Sequence, residues 1–357
     1  MSDILEIQSH SGVYTATFDD QAIARMNEDV PPGAHFIIDK HVADLYAVPL
    51  ARILASPSVL LIEAIEPNKS LERMPEYVNH LVSRGARRDH HLVAIGGGII
   101  QDITCFLAAT MLRGMDWRFF PTTLLAQADS CIGSKSSINC GDAKNILGTF
   151  TPPRSVDICV SFLDTLEATD VRSGVGEMLK VHVIDGPDSF DAIAGDYSRL
   201  FLEPDIMRRY VRSALEIKKS YIEKDEFDQG IRNIFNYGHS FGHAIEAATN
   251  FAIPHGIAVT IGMDMANFVS WRLAVGTEAD FRRMHPTLKA NYNGFEAVAV
   301  PIDLFLSAIS KDKKNTGSGS VTLILPNLEG KVFRDAYAND PGFAAVCTEY
   351  LQETRLT

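Results

Sequence analysis

His91-Leu92-Val93-Ala94-Ile95-Gly96-Gly97-Gly98-Ile99-Ile100-Gln101-Asp102 is the stretch whose reading decides the fold. A short apolar run rich in β-formers reads as a buried strand. Three glycines then turn the chain, and an apolar helix pattern follows. A strand that passes through glycine into a helix is half of a β/α unit, and such units build a mostly parallel sheet with helices on both faces. In these sheets ligands bind at the carboxyl ends of the strands. Glycines there let the backbone approach a pyrophosphate, and the helix N-terminus favours its charge. The spacing is not G-x-G-x-x-G, and a plain tight turn accounts for the glycines equally well.

Working outward, His35–Asp39, Val59–Ile62 and Trp117–Phe120 read as further strands, the last ending at Pro121. Residues 70–81 read as a helix with Pro75 near its start. From about residue 163 helical periodicity dominates, interrupted at Gly186-Pro187, Pro204 and Pro254. A late strand pair is expected at Val321–Leu325 and Val332-Phe333. Thr151-Pro152-Pro153 marks the expected boundary between an α/β domain over 1–155 and a mainly helical domain over 156–357.

The 357 residues are enough for two cores. A net charge of −12 argues against general nucleic-acid binding, although lysines and arginines that converge locally can still hold a small anion. Five cysteines without CxxC spacing suit free thiols in a reducing cytoplasm. No signal peptide and no membrane span is read in the chain.

Several segments carry chemistry. Gly176-Glu177-Met178-Leu179-Lys180, His239-Ser240-Phe241-Gly242-His243 and Pro254-His255-Gly256 supply a carboxylate and imidazoles of the kind that hold a catalytic Zn²⁺ with a position left open. Glu177 and Lys180, three apart, share a helix face, and a surface ion pair would explain them as well. His239, His243 and Glu246 form a polar stripe on an apolar helix, which Asn236 extends back by a turn. Thr122-Thr123 after a strand can bond a ribose, a phosphate or an amide, or cap the next helix. Lys135 and Lys144-Asn145 frame a Gly/Ser/Asn-rich segment that fits an anionic ligand or a solvated loop. Arg232 can grip a carboxylate or phosphate through two hydrogen bonds.

Taken together these blocks resemble the 3-dehydroquinate synthases of the sugar phosphate cyclase family. The resemblance runs from Asp39 to Lys314 through GGGIIQD, LRG, PTTLLAQADS, IGSK, AKN, GEMLK, GIRNIFNYGHSFGHAIE and PHG, in order. It implies a Rossmann-like, NAD-binding α/β N-terminal domain, a mainly α-helical metal-binding C-terminal domain, an active site between them and a homodimer. It implies Glu177, His239 and His255 as ligands of Zn²⁺, with Co²⁺ also suited to them. NAD contacts are implied for Asp39, Glu66, Lys69, Gly97, Gly98, Asp102, Thr122, Thr123 and Thr165. Lys135, Asn145, Asn236, His243 and one of Lys313 and Lys314 would surround the substrate phosphate, joined by Arg113 from a partner copy. Asp129, Lys144, Lys180 and Asp228 would meet hydroxyls or metal-side oxygens, and Lys218 and Arg232 a carboxylate.

The leading expectation is the family's reaction, conversion of 3-deoxy-arabino-heptulosonate 7-phosphate to 3-dehydroquinate and phosphate. It proceeds by transient oxidation with NAD⁺, β-elimination, reduction and an intramolecular aldol. Retention of Lys218 and Arg232 argues for a carboxylated substrate, because an unpaired buried cation is costly. Ser134, Asp228, Ile257, Gln101 and the Ser136–Asn139 stretch depart from the family pattern and point to a divergent member acting on an amino- or otherwise modified sugar phosphate. A metal-dependent polyol or glycerol-phosphate dehydrogenase and a silent binding protein are the remaining readings. The first would accumulate NADH.

Overall fold

The computed structural model describes residues 3–311 and 319–356. The chain divides into two compact units: Met1–Glu167 with Lys218–Phe227, and Ala168–Ile217 with Asp228–Thr357.

The first unit is built on a seven-stranded sheet in the order β1-β2-β9-β6-β5-β3-β4. Its strands are β1 (Ile4–Ser9), β2 (Gly12–Phe18), β3 (Ala34–Asp39), β4 (Val59–Ile62), β5 (His91–Gly96), β6 (Asp116–Pro121) and β9 (Ser155–Ile158), with β7 (Lys135–Cys140) and β8 (Ala143–Phe150) paired separately. All pairings in the large sheet are parallel except the antiparallel β1–β2 hairpin. The four strands read from sequence are β3 to β6. β9 extends this unit beyond the two prolines, because it pairs with both β2 and β6.

Five helices cover the sheet: α1 (Ala22–Glu28), α2 (Lys40–Leu45), α3 (Ala51–Leu54), α4 (Met74–Ser83) and α5 (Gly98–Thr110). Pro75 falls in the first turn of α4, where its missing N–H costs nothing. Side-chain alternation divides the strands between two faces. Phe36, Ile38, Val93, Ile95 and Phe120 join Ala22, Met26, Val42 and Ile53 in one core cluster, while Ile37, Ala94 and Phe119 point to the other face and are equally buried. The expected loop over 135–144 is instead an antiparallel hairpin, β7–β8. Ser136 and Ile138 alternate inward there, but a serine in place of an apolar residue hides the period of two.

The second unit is mainly helical: α6 (Ala168–Asp185), α7 (Pro187–Gly195), α8 (Pro204–Ile222), α9 (His239–Ala248), α10 (His255–Arg272), α11 (Glu278–Tyr292), α12 (Ile302–Ser310) and α13 (Pro341–Glu349). Helix α8 runs on into Lys218–Phe227 of the first unit. Pro187, Pro204 and Pro254 each stand at a helix start, as the interruptions in periodicity require. The late strands pair antiparallel as β10 (Ser320–Pro326) and β11 (Val332–Ala338). Among the described residues no helix is long and apolar enough to cross a membrane. All five cysteines are free; burial pushes the Cys105 thiol up to about 11 and Cys131 up to about 12, which removes them as nucleophiles.

Helix α10 is the axis of this unit, with every residue from Gly256 to Ser270 buried. Glycines make the close approaches. A Cβ at Gly176 of α6 would lie 2.3 Å from the Gly256 carbonyl oxygen, and one at Gly262 would lie 2.1 Å from that of Gly238. Alanine at 262 would gain about 1 kcal/mol of helix propensity. It would meet backbone that cannot rotate away, at an overpacking cost of about 1–3 kcal/mol. The cost wins, so Gly262→Ala is expected to lower the midpoint of thermal unfolding by several degrees; an unchanged or higher midpoint would contradict the packing described.

Candidate metal centre and nucleotide-binding edge

In the second unit, three helix segments converge on one point. Helix α6 brings Glu177 and Lys180; both are only 2% exposed, so the pair is a core feature and not a surface ion pair. His239 opens α9 directly after Gly238, whose φ of 76° demands glycine. His255 opens α10 after Pro254. Ligand atoms of His239, His243 and His255 all lie within 4.8 Å of one another. Glu177 Oε1 is 3.7 Å from His239 Nε2 and 3.6 Å from His255 Nε2.

This donor set fits a divalent ion. Glu177 Oε2 accepts from Lys180 Nζ, but Oε1 is buried without a hydrogen-bond partner among the described residues. Around a tetrahedral ion with bonds of about 2.1 Å, ligand atoms stand about 3.4 Å apart. The two Glu177–imidazole separations are a few tenths of an ångström wider. The imidazoles are held for the task from behind. His239 Nδ1 donates to the Tyr237 carbonyl at 3.2 Å, and an acceptor there leaves Nε2 with the lone pair. His255 Nδ1 lies 3.3 Å from both Glu246 oxygens, a carboxylate–histidine pairing of the same kind. Burial, with Lys180 and the neighbouring imidazoles, holds His239 well below its usual pKa, keeping it neutral. Burial also works against charge on His255, yet Glu246 and Glu177 outweigh it and raise its pKa.

In the first unit, the residues implied for NAD gather at one edge of the sheet. Asp39 ends β3; Glu66 and Lys69 follow β4; Gly97 and Gly98 follow β5; Thr122 and Thr123 follow β6; Thr165 follows β9. These are the carboxyl ends of five neighbouring parallel strands, where such sheets bind ligands. A Cβ on Gly97 would meet the Thr123 methyl at 3.0 Å, so the turn is tight at that point. Thr123 Oγ1 accepts from the Ala126 N–H at 3.2 Å, which is the capping role. Asp39 Oδ1 accepts from the His41 N–H, and burial raises its carboxyl pKa. Thr165 Oγ1 is 2.9 Å from the Tyr46 hydroxyl.

Lys69 is the hub of this edge. Its buried ammonium donates to Asp102 Oδ2 at 3.1 Å and to Asn145 Oδ1 at 2.9 Å, with Glu66 at 3.7 Å. Burial raises the Asp102 carboxyl pKa against the pull of Lys69. Asn145, expected beside a phosphate, thus joins the residues implied for the dinucleotide. Two residues outside the expected set complete the network. Ser137 gives its N–H to Asp102 Oδ1 and its hydroxyl to Asn145, and Asn139 bridges Glu66 and the Asn145 N–H. Both lie in the atypical stretch on β7, the one signal that marked them.

The other expected residues are spread more widely. Lys218 Nζ lies 2.8 Å from Asp129 Oδ1 and donates to the Asp129 carbonyl at 2.5 Å. Lys135 and Lys144 are exposed on β7 and β8. Arg113 is exposed, with φ of 66°, in the turn between α5 and β6. Asp228, with φ of 56°, precedes a short 3₁₀ turn over Ile231–Asn236 that carries buried Arg232 and half-buried Asn236, whose Nδ2 donates to the Asn233 carbonyl. Lys313 and Lys314 lie outside the described residues.

The family models for the 3-dehydroquinate synthase N-terminal and C-terminal regions match residues 59–173 and 174–315. A 3-dehydroquinate synthase from Acidithiobacillus ferrooxidans is 37% identical over 295 residues, 81% of each chain. The chain belongs to the 3-dehydroquinate synthase and sugar phosphate cyclase family. The solved structure of a 2-deoxy-scyllo-inosose synthase, complexed with carbaglucose-6-phosphate, NAD⁺ and Co²⁺, shares the fold with a TM-score of 0.85 over 98% of this chain and 99% of that one, at 22% identity. That of the 2-epi-5-epi-valiolone synthase ValA from Streptomyces hygroscopicus subsp. jinggangensis, with NAD⁺ and Zn²⁺ bound, gives 0.81 over 96% and 97%, at 26% identity.

For this family member the Glu246–His255 contact yields a direct test. Glu246→Ala is expected to weaken Zn²⁺ binding about 10- to 100-fold, the usual effect of losing a carboxylate behind a ligand histidine. Competition with a chromophoric chelator measures it, and unchanged affinity would show that Glu246 does not orient His255.

Proposed function

We propose that this chain is a divergent sugar phosphate cyclase: it eliminates phosphate from a sugar phosphate and closes a carbocycle, on a substrate other than 3-deoxy-arabino-heptulosonate 7-phosphate. One observation carries the substrate choice. A lone buried cation at Lys218 would call for a substrate carboxylate, but Asp129 already answers that charge at 2.8 Å. With the cation compensated, a substrate without a carboxylate leaves no buried charge exposed to the cost of desolvation.

Glu177, His239 and His255 would hold Zn²⁺ or Co²⁺, and the edge around Lys69, Asp102, Gly97 and Gly98 would hold NAD. When bound, NAD⁺ supplies a reversible hydride acceptor and the divalent ion a Lewis acid for the hydroxyl being oxidised. The protein's part is binding and orientation. Lys180 occupies one Glu177 oxygen and leaves the other aimed between the imidazoles. Lys69 fixes the Asp102 and Asn145 side chains at the strand ends. Helix α5 begins at Gly98, and its N-terminus would favour the charge of a pyrophosphate. The proposal includes a homodimer, with Arg113 in its exposed turn serving a partner copy; a monomer at micromolar concentration in sedimentation analysis would contradict that part.

A second reading, formation of 3-dehydroquinate from the heptulosonate phosphate, is favoured by buried Arg232, which suits a carboxylate, and by the activity named for the curated relative. Phosphate release separates the readings. The enzyme, with NAD⁺ and Zn²⁺, is offered the heptulosonate phosphate, sedoheptulose 7-phosphate and amino-sugar phosphates while NADH absorbance is followed. The expected result is phosphate from a substrate lacking the carboxylate, without net NADH, and its loss in Glu177→Ala. Release from the heptulosonate phosphate alone would establish the second reading. Steady NADH production would point to a dehydrogenase.

A further inference from the structure

Position 101 lies in the first turn of α5, one residue before Asp102. It is occupied by Gln101, only 5% exposed. Both ends of its amide are in use. Nε2 donates to the Ser130 carbonyl at 2.6 Å, and Oε1 accepts from the Ser130 hydroxyl at 2.6 Å. Ser130 ends a single π-helical turn, Ala126–Ser130, closed by the Cys131 N–H on the Ala126 carbonyl. Asp129 stands immediately before it. Two consecutive carbonyls, of Asp129 and Ser130, are therefore held by two buried side chains from different elements, Lys218 and Gln101.

We propose that Gln101 is a positioning and specificity-determining residue: by clamping Ser130 it holds the Asp129 carboxylate on the Lys218 ammonium, and so selects against substrates that carry a carboxylate. The inference rests on the sugar phosphate cyclase reading and deepens it. A carboxylated ligand that uses Lys218 must displace Asp129 or bind beside it as a second anion. With the turn clamped, the Asp129 backbone cannot shift to carry its carboxylate away from Lys218. A small residue at 101 could not reach Ser130, the turn would relax, and Lys218 would become available to the ligand.

The test measures binding of 3-deoxy-arabino-heptulosonate 7-phosphate and of sedoheptulose 7-phosphate to the full-length Zn²⁺-loaded protein by calorimetry, without added nucleotide so that no turnover intervenes. Gln101→Ala is expected to shift the ratio of the two affinities toward the carboxylated ligand by roughly tenfold, the scale of one buried hydrogen-bonded contact. In an Asp129→Asn background the same substitution is expected to leave the ratio unchanged, because the anion it positions is gone. Ser130→Ala should reproduce the shift. An unaltered ratio in Gln101→Ala, whatever happens to its thermal stability, overturns the inference, and so does a shift of equal size in the Asp129→Asn background. Wild-type protein that binds neither sugar phosphate overturns the inference, while phosphate release without net NADH from another sugar phosphate would leave the cyclase reading standing, so the two failures are distinguishable.

Discussion

A carboxylate without solvent governs the second unit. Glu177 is buried, one of its oxygens is met by Lys180 and the other, among the described residues, by no hydrogen-bond donor. Such a group is tolerated only where opposite charge answers it. Lys180 supplies part of that charge, and a divalent ion shared with His239 and His255 would supply the rest. The packing follows from the need to bring α6, α9 and α10 that close together. Glycines stand where these backbones meet, at 176 against 256 and at 262 against 238. Small residues there are what allow three helices to deliver their polar side chains to one point.

The first unit obeys a different constraint. A parallel sheet sends every strand's carboxyl end to the same edge, so residues distant in sequence become neighbours without any local signal linking them. Lys69 makes use of this, drawing Asp102 from α5 and Asn145 from β8 onto one ammonium. The β7–β8 hairpin supplies Ser137 and Asn139 to the same network. The binding edge is therefore a product of topology more than of the Gly-rich turn alone.

Much of this was legible in the sequence wherever a period survived. Strands β3 to β6 are unbroken apolar runs, the prolines at 187, 204 and 254 mark helix starts, and β10 and β11 follow β-formers. The β1–β2 hairpin and β9 went unread because their alternation is short and mixed with polar residues. The β7–β8 hairpin was hidden by a serine, Ser136, on its inward face. Site residues were recognisable by motif, but their partners were not. Spacing puts Glu177 and Lys180 on one face, yet cannot say that the face is buried. No local pattern joins Lys218 to Asp129, 89 residues away, and that pairing changes what the lysine implies about the substrate. Gln101 was visible as a departure from the family pattern, and only its contact with Ser130 gives the departure a physical meaning.

The most direct test of the account is an anomalous-scattering map at the zinc edge from crystals of the protein purified with Zn²⁺. The account predicts one ion bound by Glu177 Oε1, His239 Nε2 and His255 Nε2. An ion held by the three histidines with Glu177 unbound, or no ion in this cluster, would contradict it.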